Sequence, residues 1–386
     1  MGQIRYLTRI EIEVGALRHL ASGCESMGMK RPLLVTDRGV SAAGLVQRTL
    51  DELKGVENVA VFDGTPSNPT ETAVREALAL ARQHRCDGLI ALGGGSSIDC
   101  AKGVALAATH EGPLTRYATI EGGSPLISEH VWPLIAIPTT AGTGSEVARG
   151  AIVIVEDGRK LGFHSWHLVP RLAILDPELT LGLPPLLTAA TGMDAIAHCM
   201  ESFMAPAFNP PADGIALDGL ERGWSHLPIA VRDGNNVEAR LQMLSASMQG
   251  GLTFQKGLGC VHSLSHSLGG VDPSLHHGTL NAMFLPAVIR FNALAESVIG
   301  ERRLERMAAA MGLEKVNTAD DAAHALGEAI RAMNQQLGLP SGLAAMGVAP
   351  GCFERVIDGA MVDHCHKLNP RLASRDDYRQ MLVASM

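Results

Sequence analysis

Asp194 and His198 stand four residues apart in the run Gly192-Met-Asp-Ala-Ile-Ala-His-Cys-Met-Glu-Ser202, among good helix formers. On a helix that spacing puts a carboxylate and an imidazole on one face, about one turn apart. A second run, Cys260-Val-His-Ser-Leu-Ser-His-Ser-Leu-Gly-Gly-Val-Asp-Pro-Ser-Leu-His-His-Gly278, repeats the device: His262 and His266 have helical spacing, and His276 and His277 follow after a short loop. A single histidine on an apolar face is usually a satisfied core residue. A carboxylate with three or four imidazoles at paired spacings asks for more. Such a set fits a divalent metal such as Fe2+ or Zn2+, with one coordination position left open for a substrate.

The first half of the chain carries a different chemistry. Gly88-Leu-Ile-Ala-Leu-Gly-Gly-Gly-Ser-Ser-Ile-Asp-Cys-Ala-Lys102 reads as strand, glycine turn and helix. Consecutive glycines let the backbone come close to a ligand, and the free N–H groups of a helix opening at Ser96 and Ser97 favour an anion. The spacing is not GxGxxG, so the usual dinucleotide fingerprint does not apply, and a phosphate cradle is the expectation. A second polar loop, Pro138-Thr-Thr-Ala-Gly-Thr-Gly-Ser-Glu146, follows the next strand. Two such loops at the carboxyl ends of neighbouring strands make the crevice in which open sheets bind ligands. Asp37, in Leu34-Val-Thr-Asp-Arg-Gly39, ends a strand where it can accept hydrogen bonds from a ribose. A carboxylate there would repel a 2′-phosphate, which favours NAD over NADP.

The elements that must hold these residues follow from hydrophobic pattern. Pro32–Thr36, Val59–Phe62, Gly88–Leu92 and Leu134–Ile137 are short apolar runs, alternating with helical patterns over Thr70–His84 and Ile98–Thr109. Alternation of that kind predicts an α/β N-terminal domain, residues 1-184, with a doubly wound, mostly parallel sheet. Ile152–Val155 and Arg159–Gly162, around Asp157-Gly158, predict a hairpin inserted at the sheet edge. After Leu183-Pro-Pro185 strand signals fade, and Ala-, Leu- and Met-rich sequence of helical period predicts an all-α C-terminal domain, residues 185-386.

The bulk numbers agree with a folded enzyme. The chain has 386 residues, 46% apolar and 19% charged, enough for a large core in two domains. A net charge of −8 without any basic run speaks against nucleic acid. The N-terminus lacks the basic start and apolar core of a secretion signal, and no apolar run approaches the roughly 20 residues a membrane helix needs. Seven scattered cysteines without a CxxC pair predict reduced thiols and a cytoplasmic protein. Cys365 and His366 have no second cysteine at ligand spacing and read as packing residues.

Gly93-Gly-Gly-Ser-Ser-Ile-Asp99, Pro138-Thr-Thr-Ala-Gly-Thr-Gly-Ser-Glu-Val147, Asp176-Pro-Glu-Leu-Thr180, Gly192-Met-Asp-Ala-Ile-Ala-His198 and His277-Gly278 leading into Asn281 occur in that order. With them the whole chain resembles the iron-containing (group III) alcohol dehydrogenases, which share the dehydroquinate synthase-like fold. The resemblance implies a metal site made by Asp194, His198, His262 and His277, holding Fe2+ or alternatively Zn2+ or Mn2+. It implies NAD contacts from Asp37, Gly94, Gly95, Ser96, Thr139, Thr140, Ser145 and Lys160, and a proton-relay role for His266. The loop between His266 and His277 is one residue longer than the common pattern, so His276 stays open as the last ligand beside His277. It also implies a homodimer or larger homo-oligomer and a small-molecule substrate.

A narrower likeness lies in Glu121-Gly-Gly, Lys160-Leu-Gly-Phe-His-Ser-Trp-His167, Phe208-Asn-Pro-Pro-Ala-Asp-Gly214 and Val362-Asp-His-Cys-His-Lys-Leu-Asn-Pro370. These stretches look like those of bacterial 4-hydroxybutyrate dehydrogenases, which implies interconversion of 4-hydroxybutyrate and succinate semialdehyde. A carboxylate substrate wants a cation at the far end of its pocket, and Arg149, His364 and Lys367 are the candidates. A neutral primary alcohol, a diol or another ω-hydroxy acid is the alternative substrate. Phosphate-eliminating cyclases and redox-silent nucleotide binders are the competing classes. The first would need a basic cluster for the substrate phosphate, and the second would have no use for the carboxylate and histidines.

Overall fold

The computed structural model describes residues 4–313 and 316–386. It divides into two compact units: one is Tyr6–Thr140 with Gly144–Gly182, and the other is Ala141–Thr143 with Leu183–Met386, joined by Ile4 and Arg5.

The first unit is built on a sheet of six parallel strands among its described residues: β1 (Arg9–Ile12), β2 (Pro32–Val35), β3 (Ala60–Phe62), β4 (Gly88–Gly93), β5 (Leu134–Pro138) and, last in the chain, β8 (Leu172–Leu175). Their order across the sheet is β1-β8-β5-β4-β2-β3. All six residues of β4 are buried, because the sheet is covered on both faces. Leu33, Val35, Leu89 and Ala91 enter one core, while Leu34, Ile90 and Leu92 enter the other, as the two-residue period of a strand demands. The helix Glu71–Gln83 is capped by Thr70, whose hydroxyl accepts from Ala73 N. The helix Gly95–Ala107 follows β4 directly.

Two features depart from the sequence pattern. The hairpin of β6 (Gly150–Ile154) and β7 (Lys160–His164) forms its own two-stranded antiparallel sheet and does not extend the main one, whose outer strands are β1 and β3. The reason is burial: Val153, Leu161 and Phe163 join the apolar cluster that includes Leu33, Val35, Leu89 and Ala91, and β6 packs against the helix Gly95–Ala107. The strand β8 is not among the apolar runs that the pattern singles out. It is fully buried and fills the place between β1 and β5.

The second unit is helical, with no strand among its described residues. Its middle is the helix Pro185–Met204, in which every residue from Thr188 to Met204 is buried. Proline at its first position suits a helix start, where no intrahelical N–H bond is lost. Around it lie Pro210–Arg232, Val237–Thr253, Cys260–Val271, His277–Asn292, Ala319–Gln336, Phe353–Val362 and Arg375–Ala384. Met200, Phe203, Leu220, Leu264 and Phe284 share one apolar core. The helix His277–Asn292 comes very close to the central helix at Gly278: a Cβ there would stand 2.1 Å from the Ala190 carbonyl oxygen, so only glycine fits. No helix among the described residues is long and apolar enough to cross a membrane.

Candidate active site

Burying Asp194 and His198 in the middle of the helical unit is costly unless each is paired. The structure pairs them by bringing three helices together. Asp194 and His198 come from Pro185–Met204, His262 from Cys260–Val271, and His277 begins His277–Asn292. Asp194 Oδ1 lies 3.6 Å from His198 Nε2, 3.9 Å from His262 Nε2 and 3.6 Å from His277 Nε2. Donor atoms of Asp194, His198 and His262 all fall within 4.8 Å of one another. His276 is exposed and caps the helix that His277 opens, whereas the His277 ring faces Asp194.

The ring orientations have visible causes. His262 Nδ1 meets Glu201 Oε2 at 2.5 Å, and His198 Nδ1 meets the Gly142 carbonyl oxygen at 3.2 Å. Both partners accept, so each Nδ1 carries the proton and each Nε2 keeps a lone pair on the Asp194 side. Glu201 also accepts from Val261 N (2.8 Å) and His262 N (3.3 Å). Burial pushes the His198 imidazole below its usual range and His262 well below it, so both rings are held neutral. Burial alone would push the Asp194 carboxyl up, but it is held below the usual carboxylate range, with the Asn281 amide donating to Oδ1.

His266 lies one turn past His262. Its Nδ1 donates to Asp363 Oδ2 at 3.1 Å, and its ring stacks between His277 (centroids 5.4 Å, 11°) and His364 (5.6 Å, 20°). Despite burial, His266 and His364 hold the Asp363 carboxyl well below the usual carboxylate range. His266, Asp363, His364 and Cys365 form a second close group of ligand-type atoms, already bonded among themselves. His366 is occupied by the Tyr378 hydroxyl at 2.8 Å.

In the sheet unit, Gly93 ends β4 with φ +148, where a Cβ would stand 2.5 Å from Ser97 Oγ and 3.3 Å from Asp37 Oδ2. The main chain therefore turns tightly under the amino end of helix Gly95–Ala107, against Ser97 and Asp37, where a side chain would not fit. Gly94 caps that helix, Gly95 begins it, and Thr139 N bonds Gly93 O across from β5. Thr140 lies over Gly94. Asp37 Oδ1 accepts from Val40 N and Oδ2 from Ser97 Oγ, so this carboxylate caps a short helix beside the cradle. Lys160 Nζ donates to Asn68 Oδ1, and the Ser96 hydroxyl to Ser67 O. Ser145 is drawn inward: its hydroxyl donates to Asp99 and accepts from Lys102. Lys102, fully buried, shares its three ammonium hydrogens among that hydroxyl and the Ser145, Ala148 and Gly150 carbonyls and so ties down the Ser145 loop.

Both units have known relatives. Residues 8–177 match the iron-containing alcohol dehydrogenase family model, and residues 188–386 match the family's C-terminal model. The chain belongs to the iron-containing alcohol dehydrogenase family. It is 62% identical over 390 residues to the 4-hydroxybutyrate dehydrogenase of Cupriavidus necator, covering 100% of both chains. A crystal structure of 1,3-propanediol oxidoreductase superposes with a TM-score of 0.94 at 35% identity, with 100% of both chains covered. Sulfoacetaldehyde reductase of Bifidobacterium kashiwanohense, solved in complex with NAD+, superposes at 0.89 with 27% identity, covering 100% of this chain and 98% of that one.

Family membership implies a metal and a nicotinamide cofactor, and the residues present suit both. Asn281 Nδ2 lies 2.7 Å from Asp194 Oδ1, 3.2 Å from His262 Nε2 and 3.1 Å from His277 Nε2. Two amide hydrogens cannot serve three acceptors, and Asn281 Oδ1 is buried without a hydrogen-bond partner. A pocket of convergent lone pairs beside an ionised carboxylate is chemically a cation site. The amino end of helix Gly95–Ala107, capped by Gly94 without a side-chain acceptor, suits a phosphate.

Four further groups support the site without standing out in the motifs. Glu201 is within reach of pattern, since Asp194, His198 and Glu201 follow the i, i+4, i+7 rule of one helix face. Lys102 follows Asp99 by three residues on the helix after β4, another face pattern. Asp363 and the Gly142 carbonyl carry no local signal, because their partners are 97 and 56 residues away.

Proposed function

We propose that this enzyme interconverts 4-hydroxybutyrate and succinate semialdehyde by hydride transfer with NAD. The observation that carries the reading is the 62% identity, over the full length of both chains, to the dehydrogenase of that substrate from C. necator. The cluster of Asp194, His198, His262 and His277 supports it, as the residues that would hold the metal, with Fe2+ the expected ion and Zn2+ or Mn2+ the alternatives. Asp37, Gly94, Gly95, Ser96, Thr139, Thr140, Ser145 and Lys160 are the proposed cofactor neighbourhood.

When bound, the metal supplies Lewis acidity to the substrate oxygen and NAD accepts the hydride. The chain's own residues do the rest. Glu201 and the Gly142 carbonyl fix the His262 and His198 rings so that their Nε2 lone pairs converge. Asp363 holds the His266 proton on Nδ1, which leaves Nε2 as the acceptor for the substrate hydroxyl proton. The apolar packing around the central helix keeps bulk water away from Asp194, His198 and His262, and leaves His277 partly open to solvent.

Steady-state NADH formation by metal-loaded protein tests this, with 4-hydroxybutyrate beside 1-butanol and 1,2-propanediol. Higher kcat/KM for the hydroxy acid is expected. Preference for a neutral alcohol would overturn the substrate assignment. We further place the enzyme in the cytoplasm as a homodimer or larger homo-oligomer. Seven free cysteines, six of them buried, suit a reducing compartment. The exposed apolar residues Tyr6, Leu7, Ile12 and Val14 on and beside the outer strand β1 suit a second copy of the chain. Cell fractionation and light scattering check the two statements.

A further inference from the structure

The turn Asp363-His-Cys365 and His266 form a group of ligand-type side chains apart from the Asp194 cluster, and all four residues belong to the helical unit. Packing explains why they meet. The Ser267 hydroxyl donates to the Val356 carbonyl at 2.7 Å, and a Cβ on Gly359 would stand 2.2 Å from Ser267 Oγ. Helix Phe353–Val362 therefore closes tightly on helix Cys260–Val271. Asp363 then leaves its helix in an extended conformation (φ −64, ψ 145), and His366 N bonds back to its carbonyl at 3.2 Å. A continued helix would spread three consecutive side chains around its axis. The turn gathers them beside His266 instead.

The arrangement meets the requirements of a cation site one by one. One ligand atom from each residue lies within 4.8 Å of the other three, the same closeness that Asp194, His198 and His262 show. Asp363 Oδ2 stands 3.1 Å from His266 Nδ1 and 3.6 Å from His364 Nδ1, and Cys365 Sγ is 3.4 Å from His364 Nε2. Either His364 nitrogen could serve. Tetrahedral Zn2+, with bonds of about 2.0–2.3 Å, sets its ligand atoms about 3.3–3.8 Å apart, so modest side-chain rotation closes the set. Asp363 Oδ1 accepts from Cys365 N at 2.8 Å and from the Ser263 hydroxyl at 3.3 Å, which fixes the carboxylate from outside. The His364 side chain is 42% exposed and gives an ion its way in, while buried Cys365 closes the inner side.

The donor set chooses the ion. Two imidazoles, a carboxylate and a thiol fit Zn2+ and disfavour Mg2+ and Ca2+, which take oxygen ligands. A cation deprotonates a coordinating thiol, so Cys365 releases its proton to solvent. The thiolate and the Asp363 carboxylate then balance both charges of the ion. At His266 the ion takes the Nδ1 lone pair, and the ring proton moves to Nε2. Because the ion must displace the thiol proton and the hydrogen bonds already made within the group, this site fills after the Asp194 cluster, when Zn2+ is in excess.

We propose that His266, Asp363, His364 and Cys365 bind a Zn2+ ion of their own, distinct from the metal of the Asp194 cluster, and that this ion inhibits the enzyme by leaving His266 Nε2 protonated. Binding stands on these four residues; the inhibition rests on the proton-acceptor role given to His266 in the proposed reaction. His364 is thereby removed from the candidate partners of a substrate carboxylate. Exposed Lys367 and Arg149, whose guanidinium carbon stands 5.0 Å from the Trp166 ring centroid, are left.

The test titrates metal-free wild-type, Cys365→Ser and His364→Gln proteins with Zn2+ and with Co2+, after circular dichroism has checked each fold. Equilibrium dialysis counts bound metal, and the thiolate-to-cobalt charge-transfer band in the near ultraviolet reports a sulfur ligand. Wild type is expected to take up a second equivalent in excess metal and to show the band as it does so. Cys365→Ser should lose the band and the second equivalent, and His364→Gln should weaken both. A wild type that stops at one equivalent without the band would overturn the proposal, as would a band that survives in Cys365→Ser. If Cys365→Ser does not fold, unchanged uptake by His364→Gln would overturn it equally. NADH formation is then followed with the alcohol that wild type oxidises best, whichever that is. Excess Zn2+ should inhibit wild type and spare Cys365→Ser. Equal inhibition of the two, with the band present in wild type, would refute the acceptor role of His266 and the inhibition built on it, and leave the cation site standing.

Discussion

Glu201→Gln isolates the contribution of a residue that touches neither substrate nor metal. The wild-type carboxylate accepts from His262 Nδ1 at 2.5 Å, Val261 N at 2.8 Å and His262 N at 3.3 Å. Burial pushes this carboxyl up, and the backbone N–H groups of Val261 and His262 oppose that by favouring its ionised, accepting form. Glutamine keeps the volume but has one accepting oxygen. If the oxygen faces His262 Nδ1, the amide NH2 confronts Val261 N, and one buried donor goes unsatisfied at about 1–3 kcal/mol. If the amide reverses, His262 loses its acceptor, the proton moves to Nε2, and the ring can no longer ligate. Loss of such an outer partner costs about 10–100-fold in metal affinity, or about 1.4–2.8 kcal/mol. The assay is competition for Zn2+ or Fe2+ against a chromogenic chelator, with kcat then measured at saturating metal. Weaker metal binding by that factor is expected, with kcat recovered in part at high metal concentration. A folded Glu201→Gln protein with wild-type metal affinity would refute the argument that Glu201 sets the His262 tautomer.

His262→Ala should bring metal content to background and abolish activity while circular dichroism stays unchanged; a fully active, metal-free variant would contradict the proposed ligand set. Gly93→Ala should raise the dissociation constant for NAD by about tenfold or more, because the new methyl would stand 2.5 Å from Ser97 Oγ at a φ of +148, while metal binding in the helical unit should not change; calorimetry with NAD reads the difference. Glu146 gives a pH prediction. Burial pushes its carboxyl from 4.5 up to about 7, so between those values the folded chain keeps a proton that the unfolded chain releases. Its protonated form contributes stability fully below pH 4.5, and that contribution is lost as pH rises through 7, by up to about 3 kcal/mol. Glu146→Gln should remove this slope, and urea unfolding at pH 5 and pH 8 should show the variant losing less stability than the wild type; equal losses would count against the assignment.

Local order makes part of this architecture legible in the amino-acid sequence. The strand β4, its glycine turn and the following helix are contiguous, so one stretch of chain specifies both the cradle and the elements that hold it. Asp194 and His198 share a helix face by spacing alone, and the same arithmetic extends to Glu201. The two-layer cover of the sheet is readable because strands buried on both faces are apolar without alternation. The place of the hairpin is not, because β-pairing and face-packing look alike in one strand's pattern. What separates them is where the hairpin finds apolar neighbours, and β6 finds them on the helix Gly95–Ala107.

The amino-acid sequence by itself determined the helical pairs, the glycine cradle and the division into a strand-helix half and a helical half. Each of these depends on dihedral preference and periodicity over a few residues. Only the tertiary structure decided which pairs meet. Asp194 finds His262 and His277, Glu201 finds His262 across 61 residues, Asp363 finds His266 across 97, and Arg149 comes to lie over Trp166. The physical reason is that these contacts are consequences of packing. Gly278 lets one helix close on another, the buried helix Pro185–Met204 forces its polar groups to find partners, and the hairpin brings distant residues to one end. None of that is encoded in the spacing of neighbours along the chain.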